Sequence, residues 1–201
     1  MQVITSTPPL PLDAPQWARF RQREQLRKAM LEGRFDEVER TMAALEAAWW
    51  QSTGAPDDHY TFLATGGGLF DYASVDAGLR LVRLHAWREA CPGSYHARQI
   101  LGQYYFRRAC DIRTAGWASE VGEDQWLAAH MACVTAAEHL LEAMALSERP
   151  ALAAETMMQI SQYLGQPDFV DALFRGSPME QTMQREAFEP APKVESAVLI
   201  L

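Results

Sequence analysis

The side chains whose types and spacing could do chemistry are five histidines and three cysteines in a chain of 201 residues. Two groupings suggest metal ligands: Cys91 with His96, and His130 with Cys133 and His139. On a helix, His130 and Cys133 lie one turn apart, whereas His139 falls far round the barrel. Neither group carries the paired histidine and carboxylate spacing of an HExxH site. His130 and Cys133 therefore read as core or boundary residues, and no metal or cofactor is expected. Nucleophilic catalysis has no better support, because there is no GxSxG and no cysteine sits in a recognised motif. His59 beside Asp57 and Asp58 could do acid–base work but reads as a solvated loop cluster. No catalytic residue is assigned. The alternative is an enzyme with an unrecognised His/Asp site in a helical domain, around His59, His85 or His96.

The richest stretch for recognition is Pro92 to Trp117, PGSYHARQILGQYYFRRACDIRTAGW. Pro92-Gly93 breaks the chain, Ser94 is a good N-cap, and Gly116 offers a helix stop. Leu101, Tyr104, Tyr105 and Ile112 recur at helical spacing and predict an inward stripe, with Arg108 on or beside it. Tyrosine and arginine are enriched where proteins meet partners. Tyr95, Arg98, Tyr104, Arg107 and Trp117, with Trp126 beyond them, are the candidate binding residues. The other reading of Arg98 and Arg113 is architectural, tying neighbouring helices through Glu or Asp.

Around that stretch the pattern is helical throughout. Asp13 caps a first helix with Pro15 in its first turn, and Trp17, Phe20, Leu26, Met30 and Leu31 face inward up to Gly33. Phe35, Val38, Met42, Leu45 and Trp49 mark a second helix, antiparallel to the first because the turn between them is short. Neighbouring Trp49 and Trp50 point about 100° apart, so both cannot face one core. Trp17, Trp49 and Trp87 read as core. A weak helix from Tyr60 should break at Gly66-Gly67-Gly68, which lacks the Gly-Lys-Ser/Thr of a phosphate loop. Ser74 should cap a helix over 75–90 that buries Val75, Leu79, Val82 and Ala86, with Leu81, Leu84 and Trp87 widening the face. Helices follow near 124–146, lined by Leu127, Met131, Val134, Leu141 and Met144, and from Pro150 to Leu164. A short helix should run on to Phe174. The expected organisation is an extended proline-rich lead-in over 1–14, a helical-repeat domain over 15–175 and an irregular tail over 176–201. The fold class is all-α: seven or eight helices in antiparallel pairs, stacked as a tetratricopeptide-like solenoid or a compact helical-repeat domain.

Net charge of -8 and a pI near 5.1 argue against nucleic acid or an anionic membrane as the main partner and allow a basic one. The first residues lack a basic n-region, and no apolar run reaches membrane-spanning length. Three cysteines outside any CxxC fit a reducing cytoplasm. Oligomeric state is open.

The phrases LEGRFDEVE and LSERPALAAETMMQISQYLGQPDFVDALF resemble tetratricopeptide-type helix pairs. Over about residues 24–175 the chain resembles a bacterial domain-of-unknown-function family, number four-thousand-thirty-four in that series. LRKAMLEGRFDEVE, the Pro92–Trp117 stretch and LLEAMALSERPALA carry the likeness. Pro92, Ser94, Ala97, Arg98, Gly102, Tyr105, Ala109, Arg113, Gly116 and Trp117 fit the family's central motif. The glycine triplet and the proline-broken tail depart from its pattern. The resemblance implies a tetratricopeptide-like fold and no chemistry. The expected function is a non-catalytic interaction module, an adaptor, chaperone-like or toxin-immunity protein, binding a protein or peptide through a helical groove.

Overall fold

The computed structural model describes residues 13–52, 58–70, 75–113 and 121–164. Asp13 opens α1 (Ala14–Glu32): its carboxylate accepts from the Gln16 N–H at 2.8 Å, and the Gln16 side chain accepts from the Asp13 N–H at 3.1 Å. That reciprocal pair satisfies two of the amide groups a helix start leaves orphaned. Gly33, at φ 78°, ends the helix in the left-handed region that disfavours side chains. Only Gly33 and Arg34 separate α1 from α2 (Phe35–Gln51), so the two pack back to back. A short α3 (Asp58–Ala64) stops at the glycine triplet, where Gly66 takes φ 74°. Then come α4 (Ala77–Ala90), α5 (Tyr95–Arg113), α6 (Glu123–Met144) and α7 (Ala151–Leu164). Helix takes up 82% of the described residues and no strand occurs among them, as the three-to-four periodicity predicts.

The chain divides into two units, residues 1–160 and 161–201, and all packing described below lies in the first. α5 is its centre. It contacts α3, α4 and α6, and the Ala153 N–H of α7 donates to the Tyr95 hydroxyl at 3.3 Å. The first half of α5 is buried almost all round, from Tyr95 through Gly102 with only Arg98 partly exposed. The N-cap expected at Ser94 is present: its Oγ accepts from the Ala97 N–H at 2.9 Å.

The α5–α6 contact is the most extensive between helices among the described residues and explains which face α6 buries. An added Cβ at Gly102 would stand 2.7 Å from Leu140 Cγ and 3.0 Å from the Ala136 carbonyl oxygen. Only small side chains fit so near. α6 accordingly buries Ala129, Cys133, Ala136, Ala137, Leu140 and Ala143. The expected face is corrected here: Leu127 and Met131 are 61% and 57% exposed. α4 is corrected in the same way. Leu84 and Trp87 are buried, while Leu79 and Val82, expected inside, are exposed. Two apolar series about 140° apart compete on this helix, and the one holding tryptophan buries more area. The cap is Asp76, whose carboxylate accepts from the Gly78 and Leu79 N–H groups, rather than Ser74.

In the α1–α2 pair, Val38 and Met42 are fully buried against Leu26, Ala29 and Met30, with Phe35, Leu45 and Trp49 partly buried on the same cluster. Trp49 turns in toward Tyr60 at 5.6 Å between rings, and Trp50 turns out, 40% exposed. Trp87 is core and donates to Glu39 at 2.6 Å, linking α4 to α2. Trp17 is not core; it is 38% exposed and packs edge-on against Phe20. The expected lead-in over 1–14 gives way to α1 at Ala14, and its residues before Asp13, the helix after residue 166 and the tail lie outside the described residues.

Candidate functional site

Three helices leave an open groove along the C-terminal half of α5. Its floor is Tyr104, Arg108 and Ile112, successive residues one helical turn apart, with Tyr105 beside them. Ala77, Gly78 and Leu81 of α4 form one wall, and Met131, Ala132 and Thr135 of α6 form the other. The groove encloses about 400 Å³. A second depression of about 330 Å³ shares Ala77, Tyr104 and Arg108 with it and adds Arg80, Arg107, Cys110 and Asp111. The Leu101–Ile112 stripe expected to pack inward is fully buried at Leu101; Tyr104 and Tyr105 are half-buried against the core and, with Ile112, also form the groove floor. The reason is that α4 begins at Ala77 and meets this end of α5 with Ala and Gly, which leave space above the tyrosines.

The tyrosines are held in place. The Tyr104 hydroxyl donates to the Ala77 carbonyl at 3.0 Å. The Tyr105 hydroxyl lies 3.1 Å from His85 Nε2 of α4, and its ring stacks on His139 of α6 at 5.7 Å between centroids. Both histidines titrate below the ordinary value of 6.5, first because burial penalises the charged ring and then because Arg88 repels it. Glu89 opposes this at His85 and Glu142 at His139. Burial raises the Tyr105 phenol. Neutral histidines and a neutral phenol make this cluster a polar, uncharged wedge at the inner end of the groove.

The candidate binding residues divide. Tyr104 and Arg107 line the two depressions. Tyr95 is 8% exposed, its hydroxyl is used by α7, and burial raises its phenol to about 12; it is a core residue and not a groove wall. Arg98 reaches Glu142 of α6 at 3.1 Å and the Ser94 carbonyl at 3.5 Å, which is the architectural reading. Trp126 lies under the Arg113 guanidinium at 4.6 Å, a cation–π pair joining the end of α5 to the start of α6. Trp117 lies outside the described residues.

The acid–base candidates find other company. His59 Nε2 is 3.0 Å from Gln22 Oε1; Asp57 and the Asp58 side chain lie outside the described residues. His96 is 4% exposed, 3.2 Å from the Tyr60 hydroxyl and 3.4 Å from Glu46 Oε2. The His96 hydrogen bond holds the Glu46 carboxyl below its ordinary value, against the opposing effect of burial. Burial and the Glu46 charge push the Tyr60 phenol far up. This trio, with Tyr60 and His96 buried and Glu46 half-buried, links α2, α3 and α5 and was missed in the sequence. Its signal was visible: Glu46 interrupts the apolar Met42–Leu45–Trp49 stripe, and a carboxylate on such a face needs a partner. Cys133 is fully buried, with its thiol raised to about 12 by burial. Among the described residues no three His, Cys, Asp or Glu side chains are grouped to hold a metal ion.

A family model for a domain of unknown function, DUF4034, matches residues 22–199, most of the chain. The chain belongs to the DUF4034 family. No curated protein and no solved structure matches it. The match to DUF4034 takes in α2 to α7 and nearly all of the groove-bearing unit. No helix among the described residues of this DUF4034 chain is long and apolar enough to cross a membrane.

Proposed function

We propose that this DUF4034 chain is a non-catalytic interaction module that takes a segment of a partner protein into the α4–α5–α6 groove. One observation carries the reading. The groove and the depression beside it present two anchored tyrosines, the exposed Arg107 and Arg108, and exposed apolar residues between three helices. Tyr and Arg carry a large share of interface energy, and Met131 at 57% exposure is the kind of adaptable apolar contact that partners cover. Three of the histidines are taken up in packing contacts, His59 by Gln22, His85 by Tyr105 and His96 by Tyr60 and Glu46. The sequence-level alternative, an enzyme with a His/Asp site, would need a carboxylate oriented on an accessible imidazole, and His96, which meets Glu46, is itself buried.

The reading extends to architecture and setting. The two-residue turn between α1 and α2 and the close α5–α6 pair support tetratricopeptide-like stacking of helix pairs. A bacterial cytoplasmic adaptor, chaperone-like or immunity role fits such a scaffold by fold-level analogy. The test is to isolate a stoichiometric protein partner from the native cell and measure its affinity for variants. Met131→Asp in the groove should weaken binding at least tenfold with the melting temperature kept. Met158→Asp, on the exposed face of α7, should leave it unchanged. Equal affinity for both variants would remove the groove from the proposal.

A further inference from the structure

Charge in this protein is segregated. The chain as a whole carries -8, yet the two joined depressions are lined by Arg80, Arg107 and Arg108 against the single carboxylate of Asp111. Arg107 and Arg108 are exposed. A guanidinium has five donors in a planar fork, so one that already meets a neighbour keeps donors for a second acceptor. Beside these arginines run the apolar surfaces: Leu81, Ile112 and Met131 around the groove, with Leu127 one turn before Met131 on α6 and 61% exposed. The charge of the sequence as a whole allows a basic partner. The groove does not favour one.

We propose that the occupant is an amphipathic helical segment of a partner protein, apolar on one face and carrying Asp or Glu along one flank. This rests on the groove being the interaction site and adds the chemistry of what enters it. An incoming helix would lay apolar side chains at positions i, i+3 or i+4, and i+7 over Tyr104, Tyr105, Ile112 and Met131. One flank would then run past Arg107 and Arg108, where carboxylates accept paired, charge-assisted hydrogen bonds. A basic helix would set Lys or Arg against those guanidiniums, and like charge brought together in a partly dry groove is strongly disfavoured. The acidic remainder of the chain repels a uniformly acidic ligand, so the carboxylates must be confined to one flank; this selects against acidic chains in general.

The test uses a fluorescein-labelled helix of about 16 residues, four to five turns, with leucines at that spacing and glutamates on one flank. A second peptide replaces every glutamate with lysine. Fluorescence anisotropy is read against the full chain, Arg107→Glu/Arg108→Glu, Met131→Asp and the distant control Arg40→Glu. The glutamate peptide should bind at least tenfold more tightly than the lysine peptide. Its affinity should fall at least tenfold on the double arginine reversal and with added salt, and should be unchanged by Arg40→Glu. The reversed protein should gain affinity for the lysine peptide, which a merely unfolded groove cannot do. Tighter binding of the lysine peptide, lost on Met131→Asp, would overturn the acidic partner while leaving the groove as the site. Equal displacement by a single-stranded oligonucleotide would overturn a protein occupant. A dimer broken by Met131→Asp would give the groove to a second copy and overturn the proposal too. Binding of neither peptide, together with a native partner indifferent to Met131→Asp, would sink both readings.

Discussion

Gly102 is the position where one methyl group tests the packing of the whole unit. It sits in the interior of α5, where Ala is favoured over Gly by about 1 kcal/mol through backbone entropy. On propensity alone, Gly102→Ala should stabilise. The structure reverses the sign. The new Cβ would lie 2.7 Å from Leu140 Cγ and 3.0 Å from the Ala136 carbonyl oxygen, where carbon contacts want about 3.5–4.0 Å. Leu140 is fully buried and cannot swing into solvent, and the Ala136 oxygen belongs to the α6 backbone. Relief therefore needs α5 and α6 to part, and overpacking of this kind costs about 1–3 kcal/mol. Subtracting the propensity gain leaves a net loss of about 1 kcal/mol, or roughly 2–4 °C in Tm for a chain of this size. Gly102→Val should cost more. The assay is urea unfolding followed by far-ultraviolet circular dichroism. A double-mutant cycle with Leu140→Ala should show the two changes costing less together than in sum, because Leu140→Ala opens part of the space. Stabilisation by Gly102→Ala, or strict additivity, would mean that α5 and α6 do not meet as closely as described.

Other outcomes follow from burial and charge. Trp87→Ala should cost about 3–5 kcal/mol in urea melts, as for buried aromatics, whereas Trp50→Ala, at 40% exposure, should cost clearly less. Acid should weaken the fold in two steps. His85 and His139 have folded values below the ordinary 6.5, so their neutral forms stabilise above it and that contribution is lost as pH falls through the lowered values. Glu46 lies below the ordinary 4.5, so its contribution holds above that pH and is lost as pH falls through its own lowered value; Glu46→Gln should flatten only this second step. Native-state alkylation should leave Cys133 unlabelled until the chain unfolds, because its thiol is buried and raised to about 12.

Local rules served the sequence reading wherever local chemistry decides structure. Asp13, Gly33, Ser94 and the glycine triplet mark the helix boundaries through capping and backbone freedom, and all act where expected. Facing was less legible. α6 was read by its large residues, Leu127 and Met131, but a helix pressed against a glycine buries its alanines. Nothing in α6 alone reveals that its neighbour carries Gly102. On α4, two apolar series overlapped and only the tertiary position of Trp87 chose between them. At the candidate site, Tyr104 and Arg107 were legible as amphipathic residues beyond the buried half of α5. Tyr95 and Arg98 lie a few turns earlier on the same helix, where α7 and Glu142 take them up. Those partners are 58 and 44 residues away in the chain.

The central claim is that partners meet the chain at the α4–α5–α6 groove. Photo-crosslinking in the native cell tests it most directly, with a photoactivatable phenylalanine analogue placed singly at Leu81, Met131 or Met158. Leu81 and Met131 line the groove, and Met158 stands 62% exposed on α7. The expected result is one shared adduct at Leu81 and Met131, lost on Arg107→Glu/Arg108→Glu, and no such adduct at Met158. The same adduct at Met158 with none in the groove would contradict the account.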